Sequence, residues 1–196
     1  MKSLVIASNN EGKVREIKEI LSDLYLEIKS LKDYPEIPEI IEDGKTFEEN
    51  ALKKAREVFS ILQLPILSDD SGLEVYSLNM QPGVYSARFA GEPKDYNKNN
   101  QKLLKLLKYY YDDKRKARFR CVVVFKTFET EHIVEGFCTG RIINELRGSG
   151  GFGYDPLFIP DGYRQTFAEL SQEIKNSISH RGRAFTLIKP FITDYT

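Results

Sequence analysis

The stretch LVIASNNEGKVREIKEIL, residues 4–21, decides the fold class. Leu4 to Ala7 is a short apolar run, the length of a buried strand and too brief for a helix. Ser8 to Gly12 is polar, and from Lys13 onward Val14, Ile17, Leu21 and Leu24 recur at helical spacing. A strand, a polar loop and an amphipathic helix in that order open an α/β protein.

The alternation continues outward. Residues 26–41 are irregular, because Pro35 and Pro38 exclude a helix and leave room only for short extended pieces. Thr46 followed by Glu49 is a capping-box signature. The helix it opens carries Phe47, Ala51, Ala55, Val58, Phe59 and Leu62 on one face, with Glu48, Lys53 and Lys54 opposite, and Pro65 closes it. Ile66 to Ser68 predicts a strand entering an acidic turn, DDSG at 69–72, with strand resuming over Leu73 to Tyr76. Further on, the pattern predicts a helix around Asn97 to Tyr111 and a hairpin of two strands, Arg118 to Phe128 and His132 to Ile142. A glycine-rich loop, GSGGFGYDP at 148–156, and short helices around Phe167 to Lys175 and Arg181 to Phe191 complete the chain. The expected architecture is a mixed β-sheet flanked by helices, in one domain over residues 1–196.

Composition narrows the function. The chain is 41% hydrophobic and 30% charged, enough to bury a core and unlike a disordered segment. Its 29 basic and 29 acidic side chains cancel, whereas a nucleic-acid binder usually shows a basic excess. A few Lys and Arg can still meet phosphates locally. The 2 Cys and 2 His are too few and wrongly spaced for a structural zinc site. Cys121 and Cys138, nearly equidistant from the hairpin turn, read as reduced core thiols. The N-terminal MKSLVIASNN is neither a signal peptide nor a span, so a cytoplasmic protein with no membrane partner is expected.

Four polar constellations carry chemistry. SNNEGK at 8–13 delivers a hydroxyl, amides, a glycine and Lys13 to a helix N-terminus, where backbone N–H groups favour an anion. It is no Walker A loop, since Ala7 and Val14 occupy the first glycine and final hydroxyl positions. Asp69, Asp70 and Ser71 end an apolar strand, where α/β sheets place ligands; the same residues also suit a plain β-turn. Adjacent carboxylates are easier to ionise beside a cation, and Glu42 offers another hard oxygen ligand for Mg²⁺. In the glycine-rich loop, Phe152 and Tyr154 offer ring faces to a flat base and Asp155 an acceptor for its edge. Lys175, His180 and Arg181, in KNSISHRG, are donors suited to a carbonyl or a phosphate.

In order, the segments SNNEGKVREI, GKTFEENALKKA, LSDDSGLEV, PGVYSARFAG, GGFGYDPLF, TFAEL and KNSISHRGRA resemble the inosine triphosphate/xanthosine triphosphate pyrophosphatase family. The resemblance spans nearly the whole chain. It implies a two-lobed fold with the site in the cleft between the lobes, a homodimer, and hydrolysis of ITP, dITP or XTP to monophosphate and pyrophosphate. It also implies roles. Ser8, Asn9, Asn10, Glu11, Gly12 and Lys13 would hold the triphosphate. Glu42 and Asp70, with Asp69 beside them, would bind Mg²⁺, and Asp70 would take the proton of the attacking water. Ser71, Lys54 and Arg88 would touch the substrate, and Phe152, Gly153, Tyr154, Asp155, Lys175, His180 and Arg181 would form the base pocket. The chain departs from the pattern at Asn9, where many members have Gly, and at Asp43, a second carboxylate that competes with Glu42 for the metal-facing position. The rival outside enzymes is a nucleotide- or RNA-binding protein using KRKARFR at 114–120, but a strand splits that run between two faces. The rival within enzymes is a pyrophosphatase for modified pyrimidine triphosphates.

Overall fold

A computed structural model describes residues 3–195. The elements are β1 (Ser3–Ile6), α1 (Glu11–Ile20), β2 (Glu27–Ser30), α2 (Phe47–Leu62), β3 (Ile66–Val75) and β4 (Gln81–Pro82). They continue with α3 (Tyr96–Leu106), β5 (Lys116–Lys126), β6 (Glu131–Ile142), β7 (Phe158–Pro160), α4 (Gln172–Ile178) and α5 (His180–Tyr195). The strand order is β2-β1-β3-β5-β6-β7, with β4 paired to β3. The sheet is mixed: β1 runs parallel to β2 and β3, with Ile6 opposite Leu67, while β4 and β7 pair antiparallel to β3 and β6. The α/β class read from the sequence is the class adopted. Among the described residues, no helix is long and apolar enough to cross a membrane.

The chain forms two compact units. Unit 1 takes residues up to Asp70, Cys121–Gly136 and those from Arg181 onward; unit 2 takes Ser71–Arg120 and Phe137–His180. In unit 1, Leu4, Ile6 and Leu67 from the strands pack with Ile17 and Leu21 of α1 and Phe185 and Ile188 of α5. In unit 2, Leu73, Leu103, Phe119, Leu157, Phe158 and Phe167 form the core. Both thiols are free and buried, Cys121 in the first core and Cys138 in the second.

Three expectations are corrected. The predicted acidic turn does not exist, for β3 runs unbroken from Ile66 to Val75 through DDSG. Turn preference in Asp, Ser and Gly is a local effect, and here tertiary partners for both carboxylates outweigh it. The helix expected from Phe167 begins only at Gln172, because Phe167 and Ala168 are buried and the Ser171 side chain caps the amide of Ile174. Helix α1 starts at Glu11 rather than Lys13, since Asn10 is the residue that caps it.

The basic run at 114–120 dissolves in the same way. Arg115 is 1% exposed, and its guanidinium donates to the carbonyls of Ile142 (2.7 Å), Leu107 (2.7 Å) and Ile143 (2.9 Å). Leu107 is the C-cap of α3, so this fork satisfies an unpaired helix end as well as the end of β6. Replacing Arg115 with Met strands these carbonyls in the core of unit 2. It is expected to cost about 3 kcal/mol in urea unfolding, with Arg115→Lys recovering only part, because an ammonium cannot reproduce the planar fork. A loss under about 0.5 kcal/mol would show that water replaces the arginine freely.

Candidate active site

Unit 1 gathers most of the charged residues singled out by sequence. Asn10 caps α1, its Oδ1 accepting from the amides of Gly12 (3.0 Å) and Lys13 (3.3 Å), while Ser8 Oγ accepts from Asn10 N (3.2 Å). This fixes the first turn of α1. Lys13 and Glu16, three residues apart, then lie side by side on the helix.

Strand β3 supplies the acids. Successive side chains on a strand point to opposite faces, which is how two adjacent carboxylates can share a core. Leu67 and Asp69 face α1 and α5; Ser68 and Asp70 face α2, where Ser68 Oγ donates to the Ala51 carbonyl at 2.6 Å. Asp69 Oδ2 lies 3.0 Å from Lys13 Nζ and 3.5 Å from an Arg181 nitrogen, and the Cys121 thiol stands 3.8 Å from the same oxygen. Arg181 also donates to Glu16 Oε2 at 2.5 Å. Asp70 Oδ2 accepts from Asn50 Nδ2 at 2.9 Å.

Helix α2 completes this cluster. Lys54 does not sit on the polar face expected for it; it is buried, donating to Glu42 Oε1 at 2.5 Å and to the Asp69 carbonyl at 2.7 Å. Asn50, one turn earlier, donates to Asp70 and accepts from Gly44 N at 2.8 Å. A Cβ on Gly44 would stand 2.6 Å from that Asn50 oxygen, so glycine is required for the approach. The two neighbouring carboxylates after Pro38 separate here: Glu42 turns to buried Lys54, and Asp43 is exposed and pairs with Lys53 at 2.7 Å.

Electrostatics divide the cluster. Burial favours the neutral form of Asp69, yet Lys13, Arg181 and Lys54 outweigh it and hold its pKa well below the usual carboxylate range. For Asp70, burial wins over Lys54 and Lys13, the Glu42 charge adds to it, and the pKa is raised. Burial also opposes the charge on Glu42 and Lys13. Lys54 and Lys13 keep Glu42 below its ordinary value, and Asp69 and Asp70 keep Lys13 above its own. Adjacent acids pushed in opposite directions are the arrangement that separates a proton acceptor from a fixed anion.

Unit 2 builds a different pocket. Buried Asp155 accepts from Lys175 Nζ (2.6 Å) and from the amide of Phe152 (2.9 Å) through the same Oδ2. Gly151 has φ +70°, and a Cβ there would lie 2.1 Å from that oxygen. Asn100 of α3 donates to the Gly153 carbonyl at 3.0 Å, tying the loop to the helix. Phe152 is half-buried, with Lys175 Nζ 5.2 Å from its ring centre. His180 stacks on Phe119 at 4.7 Å and 13°. Tyr154 offers no open ring: it is buried in the core and donates to the Ser86 carbonyl at 2.9 Å. Ser71 is half-buried on β3, and Arg88 lies over the Tyr85 ring at 5.4 Å.

Residues 4–191 match the model of the Ham1 family. The chain belongs to that family. A Desulforamulus reducens protein named dITP/XTP pyrophosphatase is 53% identical over 92% of this chain and 90% of its own length. One of the same name from Clostridium perfringens is 52% identical over 96% of each. A Ham1 protein structure from Coxiella burnetii superposes with a TM-score of 0.89 at 40% identity, over 99% of this chain and 100% of that one.

In this Ham1-family chain, three contributors escaped the sequence reading, Glu16, Asn50 and Asn100, and Cys121 was read as a core thiol without its place beside Asp69. Asn50 had a signal, because a polar residue between Phe47 and Ala51 falls on the apolar stripe of α2. Glu16 likewise precedes Ile17 on the inner side of α1 and is buried. Nothing local distinguishes Asn100 or Cys121. The Asp155–Lys175 pair is the most exacting feature of unit 2, since each side chain is almost wholly buried. Truncating Asp155 to Ala leaves an ammonium without its carboxylate and is expected to cost about 3–5 kcal/mol in thermal unfolding. The double change Asp155→Ala/Lys175→Met should restore most of that loss, and a double variant no more stable than the single one would contradict the assignment.

Proposed function

We propose that this chain hydrolyses non-canonical purine nucleoside triphosphates, among them dITP, XTP and ITP, to the monophosphate and pyrophosphate. The observation that carries the reading is the cluster in which Asp70 and Glu42 meet Lys13 and Lys54 beside the first turn of α1. Family membership and two relatives above 50% identity named dITP/XTP pyrophosphatase support it.

The donor set fits a hard divalent ion. Asp70 is a buried carboxylate whose ionised form is disfavoured and is repelled by Glu42, so a cation held by both would relieve two costs at once. Among the described residues, no group of three or more His, Cys, Asp or Glu side chains forms a metal cage. Mg²⁺ needs no such cage, because it commonly takes one or two carboxylates and fills its octahedron with phosphate oxygens and water. Held by Glu42 and Asp70, Mg²⁺ would offset charge on the triphosphate and ease departure of pyrophosphate.

The chain's own residues supply the rest. Ser8 to Lys13 receive the phosphates, with Lys54, Ser71 and Arg88 reaching the substrate. Asp70, its pKa raised, accepts a proton as the water oxygen attacks the α-phosphorus. The bond to the oxygen bridging toward the β-phosphate breaks, and pyrophosphate leaves with that oxygen. The base stacks on Phe152, and its edge meets Asp155, Lys175, His180 and Arg181. Hypoxanthine and xanthine present an acceptor at C6 that suits cationic donors, whereas adenine presents a donor there. The mismatch leaves buried groups unpaired. A homodimer in the cytoplasm belongs to the same reading.

Pyrophosphate release over a triphosphate panel, with and without Mg²⁺, tests the class. Activity should favour dITP and XTP over ATP and the modified pyrimidine triphosphates, and vanish with chelator; a preference for the pyrimidines would replace this reading. In ¹⁸O-water, the label should enter the monophosphate alone, and label in pyrophosphate would move the attack to another phosphorus. Asp70→Asn should lower kcat by at least about a thousandfold while the protein stays folded, since it loses both the metal ligand and the proton acceptor. Activity within tenfold of the parent at saturating Mg²⁺ would exclude Asp70 from both roles.

A further inference from the structure

Asp69, set beside Glu42 and Asp70 at the metal by the family resemblance, is packed among cations in unit 1, and the proposed hydrolysis does not draw on it. The residue is 1% exposed, in a strand whose next residue carries the proposed proton acceptor. Four elements converge on it. Lys13 of α1 stands 3.0 Å from Oδ2, Arg181 at the start of α5 stands 3.5 Å from the same atom, and the Cys121 thiol of β5 stands at 3.8 Å. Lys54 of α2 donates to its backbone carbonyl at 2.7 Å. The Lys13 and Arg181 side chains are themselves 13% and 2% exposed, so Arg181 has no ready access to water as an alternative and Lys13 has limited access.

A metal ligand has a different environment. It needs lone pairs turned to an open coordination position, and two cations crowding one carboxylate oxygen repel a third. Asp70 and Glu42 lie on the α2 side of β3, whereas strand alternation turns Asp69 to the α1 and α5 side. We propose that Asp69 is a positioning residue: a fixed, metal-free counter-ion that aims Lys13 at the triphosphate and holds Arg181 in register with it. The assignment rests on the pyrophosphatase reading and deepens it. Arg181 is thereby pinned from two sides, by Glu16 and by Asp69, while Lys13 shares the second anchor. When a phosphate draws on Lys13, Asp69 remains neutralised by Arg181, so no buried carboxylate is left bare during turnover.

The distinguishing signature is a split between binding and turnover. Asp69→Asn removes a negative charge from a site that binds a polyanion, so calorimetric binding of dITP without metal should be as tight as in the parent or tighter. Turnover should still fall roughly ten- to a hundredfold, because a misaimed ammonium no longer tracks the charge moving to the leaving group. The Mg²⁺ concentration for half-maximal activity should stay within about twofold. A metal ligand would behave in the opposite way, with half-maximal Mg²⁺ rising tenfold or more.

The single variant leaves two buried cations short of a partner and is expected to lower Tm by roughly 10 °C. Asp69→Asn/Lys13→Met removes both members of the closer pair. It should regain most of that Tm and be no less active than Lys13→Met alone, because Asp69 acts through Lys13. A raised Mg²⁺ requirement in Asp69→Asn, weaker metal-free dITP binding, multiplicative losses in the double variant, or a double variant as unstable as the single would each overturn the assignment. Asp70→Asn assayed in parallel separates the two levels. If Asp70→Asn is inactive and Asp69→Asn shifts the Mg²⁺ requirement, the role of Asp69 alone falls. If Asp70→Asn keeps its activity, the hydrolytic reading falls with it.

Discussion

The constraint on which unit 1 depends is the burial of two consecutive carboxylates in one strand. Side by side in water, Asp69 and Asp70 would make a turn; inside a core they must be neutralised, and the strand geometry decides by what. One faces helices α1 and α5, which bring Lys13 and Arg181. The other faces α2, which brings Asn50. The sequence around each helix N-terminus follows from that demand. Asn10 sets the phase of α1 so that Lys13 and Glu16 point inward, and Thr46 sets the phase of α2 so that Asn50 and Lys54 do.

Unit 2 solves a smaller problem by similar means. Its glycine-rich loop is held by one carboxylate, since Asp155 accepts from the Phe152 amide and from Lys175 at the same oxygen. The loop is therefore less flexible than its composition suggests. Gly151 is there because no side chain fits against Asp155, and Tyr154, which reads as a stacking ring, braces the backbone at Ser86 instead. Phe152 keeps a partly open ring because its neighbours have been used to anchor it.

Much of this was legible in the sequence, and what was not has identifiable causes. Amphipathic periodicity located α1 and α2, and the four-residue run before Ser8 located β1, because those signals are local and strong. The motifs named the charged residues. Their pairing was hidden, since Arg181 and Glu16 are 165 positions apart and no local pattern links them. DDSG misled because turn propensity is a statement about an isolated segment, and this one is surrounded by cations. Lys54 misled for the same reason: a lysine on a helix is expected in water until a buried carboxylate is known to wait for it. Which of Glu42 and Asp43 turns inward depends on which lysine of α2 faces inward, and that is a property of the helix phase rather than of either acid.

The discontinuity of unit 1 has a consequence for the order in which the protein is made. Its strands and first two helices come from the early part of the chain, but Arg181 and the apolar face of α5 come after all of unit 2. A ribosome releases Glu16 and Asp69 long before their guanidinium partner exists. Until that helix docks, Glu16 lacks its guanidinium partner, Asp69 has Lys13 but not Arg181, and an apolar surface is bare where Phe185 and Ile188 will lie. The guanidinium that neutralises Glu16 and helps neutralise Asp69 is therefore made only after every residue of unit 2.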